Sequence, residues 1–215
     1  MGSHYGAKPL FVKKLKVCNA LFWISCALTS CTLLGKPSET VSYAEQYSSH
    51  LKQLSSGSSS QTQLPSKAQL KQYFEVIFNS SSSEAEVRAA SEALYASSFL
   101  FNDTLHTIND RDKLIAYLMK TSSQLTALNV DIQDIVFSGQ GAYLRWLMTV
   151  EYAKLNKGKP VQTIGITHLH FNQRGKIILH QDFWDSTEGF YQHVTLAKQV
   201  IQYIKQHLSD SLEER

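Results

Sequence analysis

The hydrophobic pattern of this chain changes its period once, and that change limits the fold more than any other feature. Over residues 67–122 apolar residues recur every three or four positions, whereas from Val130 to Trp184 they alternate with polar ones. The first period indicates amphipathic helices and the second indicates strands. Helices followed by consecutive strands predict an α+β domain in which helices cover one face of a curved antiparallel sheet.

Short turn sequences separate the predicted strands, so that consecutive strands pair as hairpins. Glycine, asparagine and proline concentrate in these turns, which are 139–141, 156–160 and 172–175. The predicted strands are Val130–Ser138, Tyr143–Leu155, Val161–Phe171 and Lys176–Trp184.

Capping signals position the helices around this meander. Ser83 and Glu86 form a capping box, and Asp110 is the predicted cap of the next helix. The predicted elements are helices at 67–79, 83–98 and 110–122, an extended piece at 99–104, and a closing helix at Glu188–Leu208. The closing helix has an apolar face made of Phe190, Val194, Ala197, Ile201 and Ile204.

The N-terminal segment has the features of a targeting sequence. Four lysines without any acid precede Val17–Leu34, a run of eighteen residues that carries no charge. Within it, Leu28-Thr29-Ser30-Cys31 resembles the lipobox of bacterial lipoproteins. We expect residues 1–30 to be a signal peptide. Cys31 would then be lipidated and hold the protein on the periplasmic side of the bacterial cell envelope. The alternatives are an uncleaved anchor helix at 17–34 and a translation start downstream of Met1.

Removal of this leader changes the charge and the cysteine content of the chain. The formal net charge is +3, and the loss of Lys8, Lys13, Lys14 and Lys16 leaves −1. Nucleic acid is therefore not an expected partner. Cys18 and Cys26 leave as well, so that no disulfide is expected in the mature chain.

Residues 31–66 are rich in serine and predict a flexible tether between the lipid and the domain. A helical spacing of Tyr43, Tyr47, Leu51 and Leu54 indicates one short helix within it. The predicted domain covers residues 67–215.

Residues between Phe101 and Asp185 carry a family resemblance. The sequence Phe101-Asn102-Asp103-Thr104, the strand sequence 145–149 and the closing sequence 180–185 resemble, in this order, the nuclear transport factor 2 superfamily. Within that superfamily the sequence resembles the SnoaL-like proteins, over about 67–193. The resemblance implies a cone-shaped roll, in which helices and a bent sheet enclose a cavity.

The resemblance also implies two candidate site residues. Asp103 falls where ketosteroid isomerase-like members hold their general base, although Thr104 stands here in place of the usual proline. The alternative role for Asp103 is to cap a turn. Tyr73, on the first predicted helix, corresponds to a tyrosine that serves an oxyanion; its alternative role is that of a core-edge residue.

The last strand brings three chemically active residues to one face. His180, Asp182 and Trp184 alternate and therefore point to the same side. In a cavity, Asp182 would act as acid or base, His180 as its partner and Trp184 as an apolar wall. The alternative is structural: Asp182 or Asp185 forms a clamp with Arg145. Trp146 lies on a stripe with Met148 and Tyr152, which is expected to form core, interface or cavity wall.

No metal or other cofactor is expected. His168 and His170 invite a metal interpretation beside His180. A hairpin loop of two or four residues, however, pairs His170 with Ile177 and His168 with Leu179, which puts both on the opposite face.

Two functional hypotheses remain. In the first, a lipid-anchored domain binds a small apolar molecule in its cavity, with isomerase- or cyclase-like acid–base chemistry by Asp103 or Asp182 as an extension. In the second, the same fold is a non-catalytic accessory module of the envelope that contacts other proteins, including a second copy of itself.

Overall fold

The computed structural model describes residues 42–55, 63–153 and 156–213. The chain divides into two units, Met1–Ser42 and Tyr43–Arg215, and every element below belongs to the second. The predicted signal peptide, the lipidation site at Cys31 and the alternative anchor at 17–34 lie outside the described residues. None of the helices within those ranges combines the length and the hydropathy needed to cross a bilayer.

Among the described residues, four helices precede the meander. The capping box predicted at Ser83 is confirmed, since its hydroxyl accepts from the Glu86 amide and the Glu86 carboxylate accepts from the Ser83 amide. Asp110 caps the following helix through the Lys113 amide, also as predicted. The helices are α1 (Tyr43–Ser55), α2 (Lys67–Ile77), α3 (Glu84–Leu94) and α4 (Arg111–Gln124).

Six strands form one mixed sheet in the order β2-β1-β6-β5-β4-β3. Strands β3 to β6 are consecutive antiparallel neighbours, which confirms the predicted meander and the α+β class. β1 pairs in parallel with β6. The strands are β1 (Tyr95–Asn102), β2 (Thr107–Ile108), β3 (Ala127–Ser138), β4 (Gly141–Glu151), β5 (Val161–Phe171) and β6 (Ile177–Trp184).

The helix that begins at Ser83, which is α3, was predicted to continue to about Ser98, and this is wrong. It ends at Leu94, and Tyr95 begins β1. The backbone of β1 pairs with β6, more than seventy-five residues further along the chain. Such a distant partner overrides the weak local preference for continuing the helix.

The inner face of the sheet and the helices α2, α3 and α4 enclose the core. Burial follows the strand period over Val161–Thr167 of β5, where inward side chains are buried and their outward neighbours are exposed. The large, fully buried side chains include Phe74, Phe101, Leu114, Leu144, Leu169 and Ile177.

Helix α1 contacts the outer face of the sheet. The Tyr47 hydroxyl lies 2.8 Å from Nδ1 of His168 in β5, and the Tyr47 ring meets the Phe183 ring edge-on at 5.6 Å. His50 Nε2 lies 3.3 Å from the Ile178 carbonyl oxygen of β6. Helix α1 therefore packs on the sheet although it precedes Lys67, where the domain is expected to begin.

The closing helix is divided, which differs from the single helix predicted at Glu188–Leu208. Asp185 caps a one-turn helix α5 (Ser186–Gly189), a 3₁₀ turn covers Tyr191–His193, and α6 runs over Thr195–Glu213. Gly189 lies against the Trp184 ring, where an added Cβ would be 2.6 Å from a ring carbon. This contact fixes α5 on the sheet and separates it from α6.

Candidate functional site

A cavity of about 390 Å³ lies between the inner face of the sheet and helices α2 and α4. A volume of this size falls in the range of small-molecule sites. Its walls are mainly apolar and aromatic, with a few polar groups that converge on one region. The rings on its walls include Phe74, Phe101, Tyr117, Trp146, Trp184 and Phe190.

Asp182 on β6 is the polar centre of one wall. Its Oδ1 lies 3.0 Å from Nε2 of His180, which is fully buried, and Nδ1 of His180 lies 2.8 Å from the Tyr95 hydroxyl. In the neutral tautomer with its hydrogen on Nε2, the ring donates a hydrogen bond to the carboxylate, and Nδ1 accepts one from the tyrosine. The three residues therefore form a continuous hydrogen-bond chain from the core to the cavity.

Thr167 extends this chain across the neighbouring strand. It lies opposite Asp182 in the β5–β6 register, and its hydroxyl donates to Asp182 Oδ1 at 2.5 Å. The Thr167 hydroxyl oxygen in turn accepts a hydrogen bond from the Trp146 indole nitrogen at 2.8 Å. The Trp146 ring on the cavity wall is thus held in place by the group that also orients the carboxylate.

Asp103 lies at the end of β1 and also lines the cavity. Its Oδ1 accepts from the backbone amides of Leu105 and His106, and its Oδ2 accepts from the Tyr117 hydroxyl. The Trp184 indole donates to the Asp103 carbonyl oxygen at 2.8 Å. This side chain therefore caps a turn while it contributes negative charge to the cavity.

Burial keeps two tyrosine hydroxyls protonated. It raises the pKa of Tyr95, and the nearby Asp182 carboxylate raises it further. Burial raises the pKa of Tyr117 too, assisted by the charge of Asp103 and the hydrogen bond to it. Both groups remain hydrogen-bond donors throughout the physiological pH range.

A glycine makes room for the two indoles. Gly165 on β5 lies between Trp146 on β4 and Trp184 on β6 in the strand register. A Cβ at this position would lie 2.3 Å from a Trp146 ring carbon and 2.8 Å from the Trp184 Cβ. Only the absence of a side chain lets both rings lie over the strand.

Sequence comparison assigns the family of this fold. Residues 66–180, more than half of the chain, match the family described as SnoaL-like domain. The chain belongs to the SnoaL-like family. No curated protein matches the sequence.

Solved structures with low sequence identity are similar to this chain. A protein of ketosteroid isomerase-like fold from Catenulispora acidiphila, determined with trimethylamine, has a TM-score of 0.50 and 12% identity, and the match covers 60% of this chain and 94% of that one. A putative polyketide cyclase from Acidithiobacillus ferrooxidans has a TM-score of 0.49 and 18% identity, over 59% and 92%. An NTF2-like protein of unknown function from Exiguobacterium has a TM-score of 0.47 and 17% identity, over 54% and 98%.

The SnoaL-like cavity brings together most of the residues singled out in the sequence. Asp103, His180 and Asp182 line it, together with Trp146 and Trp184. The rest of the predicted stripe on β4, Met148 and Tyr152, also lines it.

Tyr73 does not line the cavity. It is half-buried against the core, and its neighbour Phe74 takes the position on the wall. The oxyanion role that the resemblance implied for Tyr73 therefore has no geometric basis. The tyrosine hydroxyls that contact the candidate acid–base residues are those of Tyr95, at His180, and Tyr117, at Asp103, and the sequence analysis missed both.

The predicted clamp between Arg145 and Asp185 is also wrong. Arg145 lies on the exposed side of β4 and donates to the Gln133 side chain. Asp185 accepts from the amides of Thr187 and Glu188 at the start of α5. Asp182 faces the cavity on the other side of the sheet from Arg145.

The register predicted for the β5–β6 hairpin is wrong by two residues, but the predicted faces are correct. His168 lies opposite Gln181 and His170 opposite Leu179, with an irregularity between His170 and Phe171. A shift of two preserves the side to which each residue points. Within the described ranges, no cluster of three or more histidine, cysteine or acidic residues has metal-binding geometry.

Proposed function

We propose that this protein binds a small, mostly apolar molecule in the SnoaL-like cavity. Asp182 then removes a proton from this molecule and returns it at another position. The observation that carries the proposal is the Asp182–His180 pair at the wall of an aromatic cavity. Isomerisation, cyclisation and dehydration share one elementary step, the removal of a proton beside a carbonyl, and a positioned carboxylate performs it.

The hydrogen bonds favour Asp182 over Asp103 as the base. Asp103 uses both oxygens, accepting from two amides and from the Tyr117 hydroxyl. The donors described at Asp182, from Thr167 and His180, both contact Oδ1. Oδ2 is therefore the oxygen that meets a substrate, and Oδ1 is held by the chain that extends to Tyr95.

The proposed step accounts for every proton and electron pair. The substrate C–H bond breaks, the proton passes to Asp182 Oδ2, and the electron pair moves towards the substrate carbonyl. The same carboxyl then returns the proton at a second carbon, or solvent exchanges it. His180 is a positioning residue here, because it acts on the substrate only through Asp182.

Proton exchange in heavy water tests the catalytic part. The full-length protein is incubated with cyclic ketones of one to three rings, and loss of the α-proton signal is followed by NMR. We expect Asp182→Asn to slow the exchange by roughly 10²- to 10⁴-fold. Asp134→Asn, on the exposed side of β3, is the matched control and leaves the rate unchanged. Equal rates in the wild type and Asp182→Asn would contradict the role of Asp182.

We further propose that the domain is held at the bacterial envelope through lipidation of Cys31. The support is the charge-free segment behind four lysines and the lipobox-like sequence before the cysteine. Cys31→Ser would release the protein from the membrane fraction on cell lysis. Retention of this variant would favour the alternative, an anchor helix at 17–34.

A second function, as a non-catalytic interaction module, is favoured by helix α6. Its apolar residues Leu196, Val200, Ile204 and Leu208 recur at helical spacing and are at least half exposed. Exposed apolar stripes of this kind mark contact surfaces for proteins, including a second copy of the chain. Val200→Asp with Ile204→Asp would then abolish association in sedimentation experiments, while Asp182→Asn would leave it intact.

A further inference from the structure

The charged groups on the cavity wall are predominantly of one sign. Among the described residues that line it, Asp103 and Asp182 are acidic and His180 is the only basic type; lysine and arginine do not occur there. Both ring nitrogens of His180 are engaged within the wall, one by Asp182 and the other by Tyr95. The wall therefore carries two acidic side chains against one histidine.

A cation near this hydrogen-bond chain does not offset that charge. Arg111 Nη2 donates to the backbone carbonyl oxygen of Tyr95 at 3.1 Å. That oxygen lies at the opposite end of the tyrosine from the hydroxyl that contacts His180. Arg111 is not among the residues that line the cavity.

Both carboxylates act on the same part of the cavity. The Tyr117 hydroxyl donates to Asp103, and the negative charges of Asp103 and Asp182 each contribute, after burial, to raising its pKa. Trp184 joins the two acids as well. Its indole donates to the Asp103 carbonyl oxygen, and it lies two residues beyond Asp182 on the same face of β6.

Aromatic faces surround this region. Trp184, Trp146 and Tyr117 line the cavity beside the acids. The negative face of an aromatic ring attracts a cation, and the attraction is largest for tryptophan. Carboxylates and ring faces in one water-poor cavity complement a cationic group with apolar substituents.

We propose that the ligand of this cavity carries a positive charge: an alkylated ammonium group on an apolar body, held between Asp103, Asp182 and the Trp184 ring. This inference rests on the proposed function, because it names the substrate class of the same site. An anionic ligand is excluded on the same grounds, since it would enter a cavity of low dielectric without a cation to pair with.

Three molecules of nearly equal shape separate charge from size. Choline carries a trimethylammonium group, 3,3-dimethylbutan-1-ol replaces the nitrogen by carbon, and 3,3-dimethylbutanoate is an anion with the same bulky end. Dissociation constants for the full-length protein are measured by the change in tryptophan fluorescence, with NMR titration as a check. We expect choline to bind roughly tenfold more tightly than the neutral alcohol, and the butanoate to bind more weakly than either.

Two variants locate the charge that is responsible. Asp182→Asn should bring the affinity for choline down to that for the alcohol, because the side chain keeps its shape and loses its charge. Asp134→Asn removes an equal charge from the exposed side of β3 and should preserve the preference. The comparison of choline with the alcohol in the wild-type protein tests the inference even where Asp182→Asn does not fold.

Each outcome has one meaning. Tighter binding of choline with loss of the preference in Asp182→Asn supports the inference. Binding of the alcohol as tight as that of choline, or tighter, overturns the inference and leaves the proposed apolar-ligand function standing. Failure of all three to bind at millimolar concentration also overturns the inference, whereas the proposed function is judged separately by the α-proton exchange of the cyclic ketones.

Discussion

The two faces of the β5–β6 hairpin each bury a histidine against a tyrosine, and only one of them forms a candidate site. On the outer face, Nδ1 of His168 lies 2.8 Å from the Tyr47 hydroxyl, beneath helix α1. On the inner face, Nδ1 of His180 lies 2.8 Å from the Tyr95 hydroxyl. The local contacts are nearly the same, so a buried histidine bonded to tyrosine does not by itself indicate function.

The second nitrogen and the surroundings distinguish the two histidines. His180 Nε2 contacts the Asp182 carboxylate, which borders a cavity of about 390 Å³. His168 stacks on the Tyr143 ring at 4.5 Å, with ring planes inclined by 8°. The outer histidine therefore joins a helix to the sheet, whereas the inner one orients an acid towards a ligand space.

The largest expected effect is on catalytic activity, which should depend on His180 and not on His168. His180→Gln removes the contact that positions Asp182, so we expect α-proton exchange to slow by at least ~10-fold. His168→Gln lies on the other face and should leave the exchange rate unchanged. Both variants are checked for folding by near-ultraviolet circular dichroism. Equal losses in the two variants would mean that the inner histidine has no special role.

The next effect is on the pH dependence of stability, to which His168 should contribute. Burial, with a smaller contribution from His170, lowers the pKa of His168 to about 4. Unfolded histidine binds its proton near pH 6.5, so between about pH 6.5 and 4 only the unfolded state is protonated at this residue. Its contribution to stability is therefore complete above pH 6.5 and is lost as the pH falls towards 4, by up to ~3 kcal/mol.

Denaturant unfolding at pH 4.5 and pH 7.5 measures this loss. The carboxylates of the protein also titrate in this range, so His168→Gln is compared with the wild type at both values. The difference in unfolding free energy between the two pH values should be smaller in the variant. An unchanged difference would show that His168 is protonated in the folded protein.

The smallest of these effects concerns the wall between the two indoles. Gly165→Ala places a methyl group within 3 Å of Trp146 and Trp184, so we expect a loss of ~2 kcal/mol in unfolding free energy. Ligand affinity should fall as well, because the Trp146 ring moves towards the cavity. Ile164→Ala, its highly exposed neighbour, is the control and should change neither quantity appreciably. Unaltered stability in Gly165→Ala would mean that the indoles shift freely.

The sequence predicted those features that depend on nearby residues. The alternation of His180, Asp182 and Trp184 set their common face, and the hairpin parity kept His168 away from them even though the register was shifted by two. Cap residues such as Ser83 and Asp110 marked the helix starts within one residue. These signals are local, and tertiary contacts did not overturn them.

The features that were missed depend on residues far apart in the chain. Tyr47 and His168 are 121 residues apart, and Tyr95 and His180 are 85 apart. No periodicity in one segment identifies the partner in the other. The first half of β1 was missed for the same reason, since Tyr95 is extended because β6 lies beside it, whereas the extended piece predicted from Phe99 is confirmed.

NMR with a bound ligand tests directly whether the ligand lies on the inner face of the sheet. A cyclic ketone is titrated into the isotope-labelled full-length protein, and side-chain shifts along β5 and β6 are followed. We predict that shifts concentrate on the inner residues Thr167, His180 and Trp184, and that Ile166 and Phe183 on the outer face remain unaffected. Shifts centred on the outer residues would contradict the assignment of function to the inner cavity.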